Sequence, residues 1–387
     1  DALMYFYERQ SHTLIAQPII PLRERTTYAV VVTRRLKDLK GDPVGSPYAY
    51  INHTGQTEAL KDLPKYLPQG LSLTDIAFAF SFTTQTVEAD FVAVRDGLYG
   101  HGIQKHLGET FPARVKKFFP LFDQEHPSFA GLESPYLLFG EDFASAYRTI
   151  AITFQGSSGN AFDRALEGHF YVDFHAIGSF EGPQLFPRKD ANGNDLGYNK
   201  QVWPPDLTTI AAPARAEEIP FWIAIPRKEV SKRKDGKPVP VVIMSHGYTS
   251  NRFSEVAGFS SFFAKHGLAT IGIECPSHGL SISKDEEELA TSLFGAQGLL
   301  PFVTAALTDR ALDLNQDDRK DSGADFWTSY VFHTRDIVRQ CALDHMSLVR
   351  LLKTFDGERT WAFDLNNDGK NDLAGDFDGD GKVDVGL

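Results

Sequence analysis

Between Pro240 and Gly279 the chain sets two apolar runs of strand length on either side of one helical repeat. Val241-Val242-Ile243-Met244 is continuously apolar and passes into the turn-forming stretch Ser245-His246-Gly247-Tyr248-Thr249-Ser250. Val256, Phe259 and Phe263 then recur at i, i+3 and i+7, Lys265-His266 supplies a basic last turn and Gly267 a stop, which predicts a helix. Leu268 to Glu274 follows as a second apolar run, the pattern of a buried parallel strand.

Elsewhere the periods are mixed. Tyr28, Val30 and Val32 share one face of Thr26–Thr33, and Ile76, Phe78, Phe80 and Phe82 alternate with small or polar residues, so both stretches predict half-buried antiparallel strands. Thr57–Leu67 reads as a helical insertion between them, and Val87–Leu107 as a helical connector. Phe111–Phe129 has no clear period. Further strands are predicted at Ile150–Phe154, Phe170–Phe174 and Ile219–Pro226, the last two antiparallel. Arg227–Lys237 reads as a solvated basic turn. Ser281–Tyr330 is an insertion made apolar by Phe294, Leu299, Leu300, Phe302, Val303 and Leu307, either a lid over an apolar pocket or a packed subdomain, with Phe326 and Trp327 lining the pocket or anchoring the insertion. Ile337, Cys341, His345, Leu348, Leu352 and Phe355 fall at helical spacing, with Thr334 as predicted N-cap and Asp336 in the first turn.

Close to the carboxyl end the chemistry changes to hard oxygen ligands. Asp364, Asn366, Asp368 and Asp372 are matched at a period of twelve by Asp376, Asp378, Asp380 and Asp384, with Gly369 and Gly381 at the sixth position. Carboxylates at alternate positions converge on a cation while the glycine permits a sharp turn, so these loops predict structural Ca2+. The twelfth position, where an EF-hand places Glu, holds Gly375 and Leu387; the repeats resemble type 3 thrombospondin or dockerin-like segments instead. A degenerate third copy comprises Asp313, Asn315, Asp317 and Asp321, with Asp318 in place of the glycine.

Pro240-Val241-Val242-Ile243, His246-Gly247, Ala264-Lys265-His266-Gly267 and Ile273-Glu274 resemble the corresponding segments of bacterial polyester hydrolases, dienelactone hydrolases and plasma-type platelet-activating-factor acetylhydrolases. All are serine α/β-hydrolases. The resemblance implies an α/β-hydrolase core in which His246 and Gly247 form the oxyanion turn and the backbone amide of Tyr248 receives the developing alkoxide. Residues 10–86 resemble the Ig-like domains that precede exported bacterial enzymes, implying a spacer or adhesion role. Most of the chain thus resembles large exported lipase- or esterase-like proteins, with an Ig-like β-sandwich at 1–87, a connector at 88–150 and the first part of an α/β-hydrolase domain at 151–387.

No Gly-x-Ser-x-Gly occurs between Asp1 and Leu387. Gly258-Phe259-Ser260-Ser261 lies inside the predicted helix, and Gly156-Ser157-Ser158-Gly159 is a flexible turn. In the resembled superfamily the order is oxyanion turn, nucleophile, acid, histidine, so the nucleophile is expected past Leu387 and the chain is read as an inactive fragment. His278 and His333 are read as loop-ordering residues rather than partners of a Ser277 triad.

A net charge of −12 argues against nucleic acid as a partner, and no apolar run reaches spanning length. The two cysteines, Cys275 and Cys341, could pair or stay buried. Calcium loops fill best at extracellular concentrations, which points to an exported protein, and the hydrolase resemblance implies a small-molecule or lipid ester as its substrate. The rival reading is a calcium-dependent extracellular binding or adhesion protein whose hydrolase-like half is inert.

Overall fold

The computed structural model describes residues 3–46, 60–86, 88–127, 134–155 and 166–387. The chain divides into two compact units, Asp1–Phe91 and Val92–Leu387.

In the first unit β1 (Leu3–Glu8) pairs with β2 (Thr13–Pro18), and β3 (Thr27–Thr33) pairs antiparallel with β4 (Ile76–Thr83). The alternation read from the sequence sets the second register, Tyr28 opposite Phe82 and Val30 opposite Phe80. A short helix, α1 (Leu63–Tyr66), lies in the expected insertion, whose first residues fall outside the described ones. Leu60, Leu63, Ile76 and Ala79 form a small core. Among the described residues the unit holds two two-stranded antiparallel sheets.

Helix α2 (Glu88–Leu98) and α3 (His106–Thr110) follow, so the stretch expected to be helical from Val87 to Leu107 is helical at its two ends. Strands β5 (Val115–Phe118) and β6 (Leu138–Phe139) precede α4 (Gly140–Gln155). The expected strand at Ile150–Phe154 is therefore helical backbone. Glu141 and Asp142 favour the first turn, and Phe143 and Ala146 bury on one face at helical spacing, so the helix nucleates before the β-branched residues begin.

Among the described residues the central sheet has seven strands. Its path runs β11 (Val385–Gly386), β9 (Val239–Met244), β10 (Ala269–Ile273), β8 (Arg215–Pro226), β7 (Val172–Gln184), β5, with β6 paired to β7. β9 is parallel to both β10 and β11, while β8 runs antiparallel to β10 and β7. This is a mixed α/β core in which two long antiparallel strands lead into a parallel run. Helix α5 (Arg252–Lys265) crosses between β9 and β10, capped by the Asn251 side chain on Ser254 N–H and ended by Gly267 at φ +73°.

The insertion forms α6 (Lys284–Gly295), which opens with a Ser283/Glu286 capping box, and α7 (Leu300–Leu307). Phe294, Leu299, Phe302 and Val303 bury against Trp222, Phe143 and Phe253 in one core cluster. The insertion is a packed subdomain. The last helix, α8 (Val331–Leu352), begins ahead of its predicted cap: Tyr330 is the N-cap, and Thr334 Oγ1 accepts from Thr328 N–H. Asp336 is fully buried and takes Trp203 N–H at 2.9 Å. Among the described residues no helix is long and apolar enough to cross a membrane.

Candidate functional site

The turn after β9 is built by His246. Its Nδ1–H donates to Gly247 O at 3.0 Å and its Nε2 accepts the Cys275 N–H at 3.0 Å, so the ring ties the turn to the exit of β10. Burial lowers its pKa to about 4, which keeps the ring neutral and suits it to accept that N–H. Glu274 Oε1 lies 3.3 Å from the same nitrogen, and Glu274 is held by Arg252 through Nη1 at 2.6 Å and the backbone N–H at 3.2 Å. Arg252 opens α5, so a buried ion pair fixes the helix start against the turn.

Gly247 O also accepts from Ser250 N–H at 3.1 Å, and Thr249 stands at φ +64°, a conformation L-residues rarely take. Among the described residues the Tyr248 N–H donates no hydrogen bond. Its ring is half exposed and meets the edge of Trp327 at 6.2 Å.

Ser245 to Tyr248 open onto a cavity of about 870 Å³, walled also by Cys275, His278 and Phe326. Val338, Ala342, Met346 and Val349 of α8 give it an apolar stripe at helical spacing. This volume falls in the range of small-molecule sites. Cys275 and Cys341 are paired as a disulfide in the cavity wall, resolving the alternatives left by the sequence.

Ser277 does not join a triad. At φ +60° and 1% exposed, its Oγ donates to Asp325 Oδ2 at 3.0 Å and accepts from Arg188. His278 Nδ1 is engaged by Pro276 O at 2.9 Å, and His333 Nδ1 by Gln201 O at 2.7 Å. His333 Nε2 lies 3.8 Å from Asp325 Oδ2, the same oxygen that accepts from Ser277 Oγ, so a carboxylate and not an imidazole meets the serine.

The three Asp loops share one hydrogen-bond pattern. The first-position carboxylate accepts from the sixth-position N–H in each: Asp364 from Gly369 at 2.8 Å, Asp376 from Gly381 at 2.8 Å and Asp313 from Asp318 at 3.0 Å. The ninth-position carboxylate accepts from the second-position N–H: Asp372 from Leu365, Asp384 from Phe377 and Asp321 from Leu314. Asp318 takes φ +63° where its counterparts are Gly369 at +86° and Gly381 at +82°. The degenerate copy folds like the other two.

Asp376, Asp378 and Asp384 bring carboxylate oxygens within 4.8 Å of one another. Burial, then the neighbouring acids, push Asp376 up to about 6; burial pushes Asp384 up to about 7 against the pull of Arg233. Arg233 corrects the expectation of a solvated turn at Arg227–Lys237. Its guanidinium is buried and donates to Asp384 at 2.6 Å, Asp173 at 2.6 Å and Asp378 at 2.7 Å. Lys228 reaches Asp380 at 2.8 Å. Asn366 Nδ2 donates to Gly379 O at 2.8 Å, interlocking the tandem loops.

Sequence reasoning missed two structural anchors here, the Arg252–Glu274 pair and Arg233. A charge adjoining a strand end or a basic turn carries no signal of burial until its partner is known. The chain matches no family model, no curated protein and no solved structure.

Proposed function

We propose that this chain belongs to an exported carboxylic ester hydrolase of the α/β-hydrolase kind, acting on a small-molecule or lipid ester. The observation that carries the reading is the unbonded Tyr248 amide at the rim of an apolar cavity, on the strand-to-helix turn between β9 and α5. That is the turn from which an α/β-hydrolase contributes an oxyanion N–H. Two antiparallel strands, β7 and β8, precede it, in keeping with the resemblance.

In this reading the ester carbonyl rests against His246–Tyr248 with its acyl chain along the α8 stripe. The Tyr248 amide receives the charge that forms as the carbonyl becomes tetrahedral. His246 stays neutral and holds the turn; the Arg252–Glu274 pair holds α5 behind it. The nucleophilic serine belongs on a turn following β11, in chain after Leu387. β11 is parallel to β9 with Val385 opposite Val239, so its continuation runs toward the same end of the sheet as the Tyr248 turn.

Calcium in the Asp364–Asp372 and Asp376–Asp384 loops, and in the degenerate Asp313–Asp321 loop, completes the proposal. In the second loop the donor set fits: Asp376 and Asp384 are buried, lie close to Asp378 and are pushed above the ordinary aspartate range, and such a cluster of oxygens suits a hard cation. Asp384 immediately precedes β11 and its carbonyl accepts Val239 N–H at 2.9 Å, so the second loop steadies that strand.

The test is active-site labelling. Residues 1–387 alone are expected to take no fluorophosphonate label and hydrolyse no p-nitrophenyl ester, whereas a chain extended through the following turn does both. Labelling of residues 1–387 that Ser245→Ala or Ser277→Ala abolishes would remove the proposal.

A further inference from the structure

Beside the Tyr248 turn the cavity wall carries chemistry that ester hydrolysis does not use. Cys275 leaves β10, and Cys341 and His345 occupy successive turns of α8; all three line the cavity. One ligand atom from each lies within 4.8 Å of the other two, and Cys341 Sγ is 3.8 Å from His345 Nδ1. The ring of His345 is already oriented: Nδ1 lies 2.8 Å from Cys341 O, while its buried Nε2 makes no hydrogen bond among the described residues. Metal-ligating histidines commonly have one nitrogen held by a carbonyl while the other ligates.

We propose that Cys275, Cys341 and His345 form a redox-gated site for a thiophilic divalent cation, zinc. With the disulfide formed the site is closed and the pair acts as a strut between β10 and α8. A dithiol reductant opens it by delivering two electrons and two protons to the S–S bond; the reductant leaves as its own disulfide and two thiols remain. Zinc then displaces both thiol protons and is held by two thiolates and one imidazole nitrogen. Thiolate and imidazole together select zinc over calcium or magnesium. The fourth position faces the cavity, open to water or to a ligand. The proposal stands on these three side chains and is independent of the ester reading.

The experiment titrates zinc into the full 387-residue chain, oxidised and reduced, against a chromophoric chelator in excess calcium so that the Asp loops are filled. The reduced chain is expected to bind a further zinc ion that the oxidised chain does not. Cobalt in its place should give the thiolate charge-transfer band and the strong visible bands of a tetrahedral centre. His345→Gln leaves the cysteine pair intact and should raise the zinc Kd of the reduced chain roughly a hundredfold. Cys341→Ser should abolish the charge-transfer band, with circular dichroism checking the fold. Should Cys341→Ser not fold, His345→Gln decides. Equal zinc uptake by the two redox forms, a cobalt spectrum without thiolate bands, or unchanged affinity in His345→Gln would overturn the proposal.

Discussion

Arg233→Met removes the cation on which three carboxylates converge, and the structure sets the size of the effect. Arg233 and Asp384 have side chains only 3% exposed, whereas Asp173 and Asp378 are 28% and 17% exposed and can rehydrate. The loss is therefore dominated by one stranded charge, Asp384, and breaking a buried pair in this way costs about 3–5 kcal/mol. For a unit the size of Val92–Leu387, with an unfolding entropy of about 2.1 cal/mol/K per residue, that corresponds to a fall in Tm of about 5–8 °C. Thermal denaturation by circular dichroism without added metal reads it. Asp384 carries a raised folded-state pKa, so its contribution is fully present below the unfolded value near 3.8 and is lost as pH rises through about 7. The deficit of Arg233→Met should accordingly be larger at pH 8 than at pH 5. Adding Asp384→Asn should recover part of it, because the stranded charge is gone. A single variant within about 1 kcal/mol of the parent, or a double variant no better than the single, would refute the reasoning.

The same sign governs calcium. Asp376, at about 6, and Asp384, at about 7, are protonated in the folded chain at pH 5 and ionised at pH 8, so EDTA should lower Tm at pH 8 and have a much smaller effect at pH 5. An EDTA effect that is absent at pH 8 would count against calcium in the second loop. Asp318→Gly relieves a non-glycine residue at φ +63° and should stabilise the third loop by about 0.5–1 kcal/mol, read as a small rise in the denaturation midpoint; a loss of stability would show that the Asp318 side chain contributes more than the backbone conformation costs.

The parallel pair β9 and β10 with α5 between them was legible because every signal agreed: two continuous apolar runs, an i, i+3, i+7 stripe, and Gly267 where the left-handed stop falls. The turns of the Asp loops were legible for a different reason, since carboxylate spacing and turn geometry are written in consecutive residues. The third copy keeps the same turn hydrogen bonds although Asp318 stands where the other two have glycine. What the sequence could not reveal was pairing at a distance. Ile150–Phe154 looks like a strand locally, but the helix begins ten residues earlier and carries through it. Thr334 has the chemistry of an N-cap, but its hydroxyl serves the preceding loop. Arg233 reads as a surface charge until Asp173, Asp378 and Asp384 are brought around it. The apolar residues of the insertion suit a lid or a core equally, and contacts with Trp222 and Phe253 decide for the core.

The oxyanion role of Tyr248 is tested most directly by deleting its N–H. In a chain extended past Leu387, Tyr248→Pro should lower kcat for a p-nitrophenyl ester by about 10²–10³-fold. Tyr248→Ala, which keeps the amide, should leave kcat near the parent value, with circular dichroism confirming that both variants fold. Equal rates in Tyr248→Pro and Tyr248→Ala would contradict the assignment.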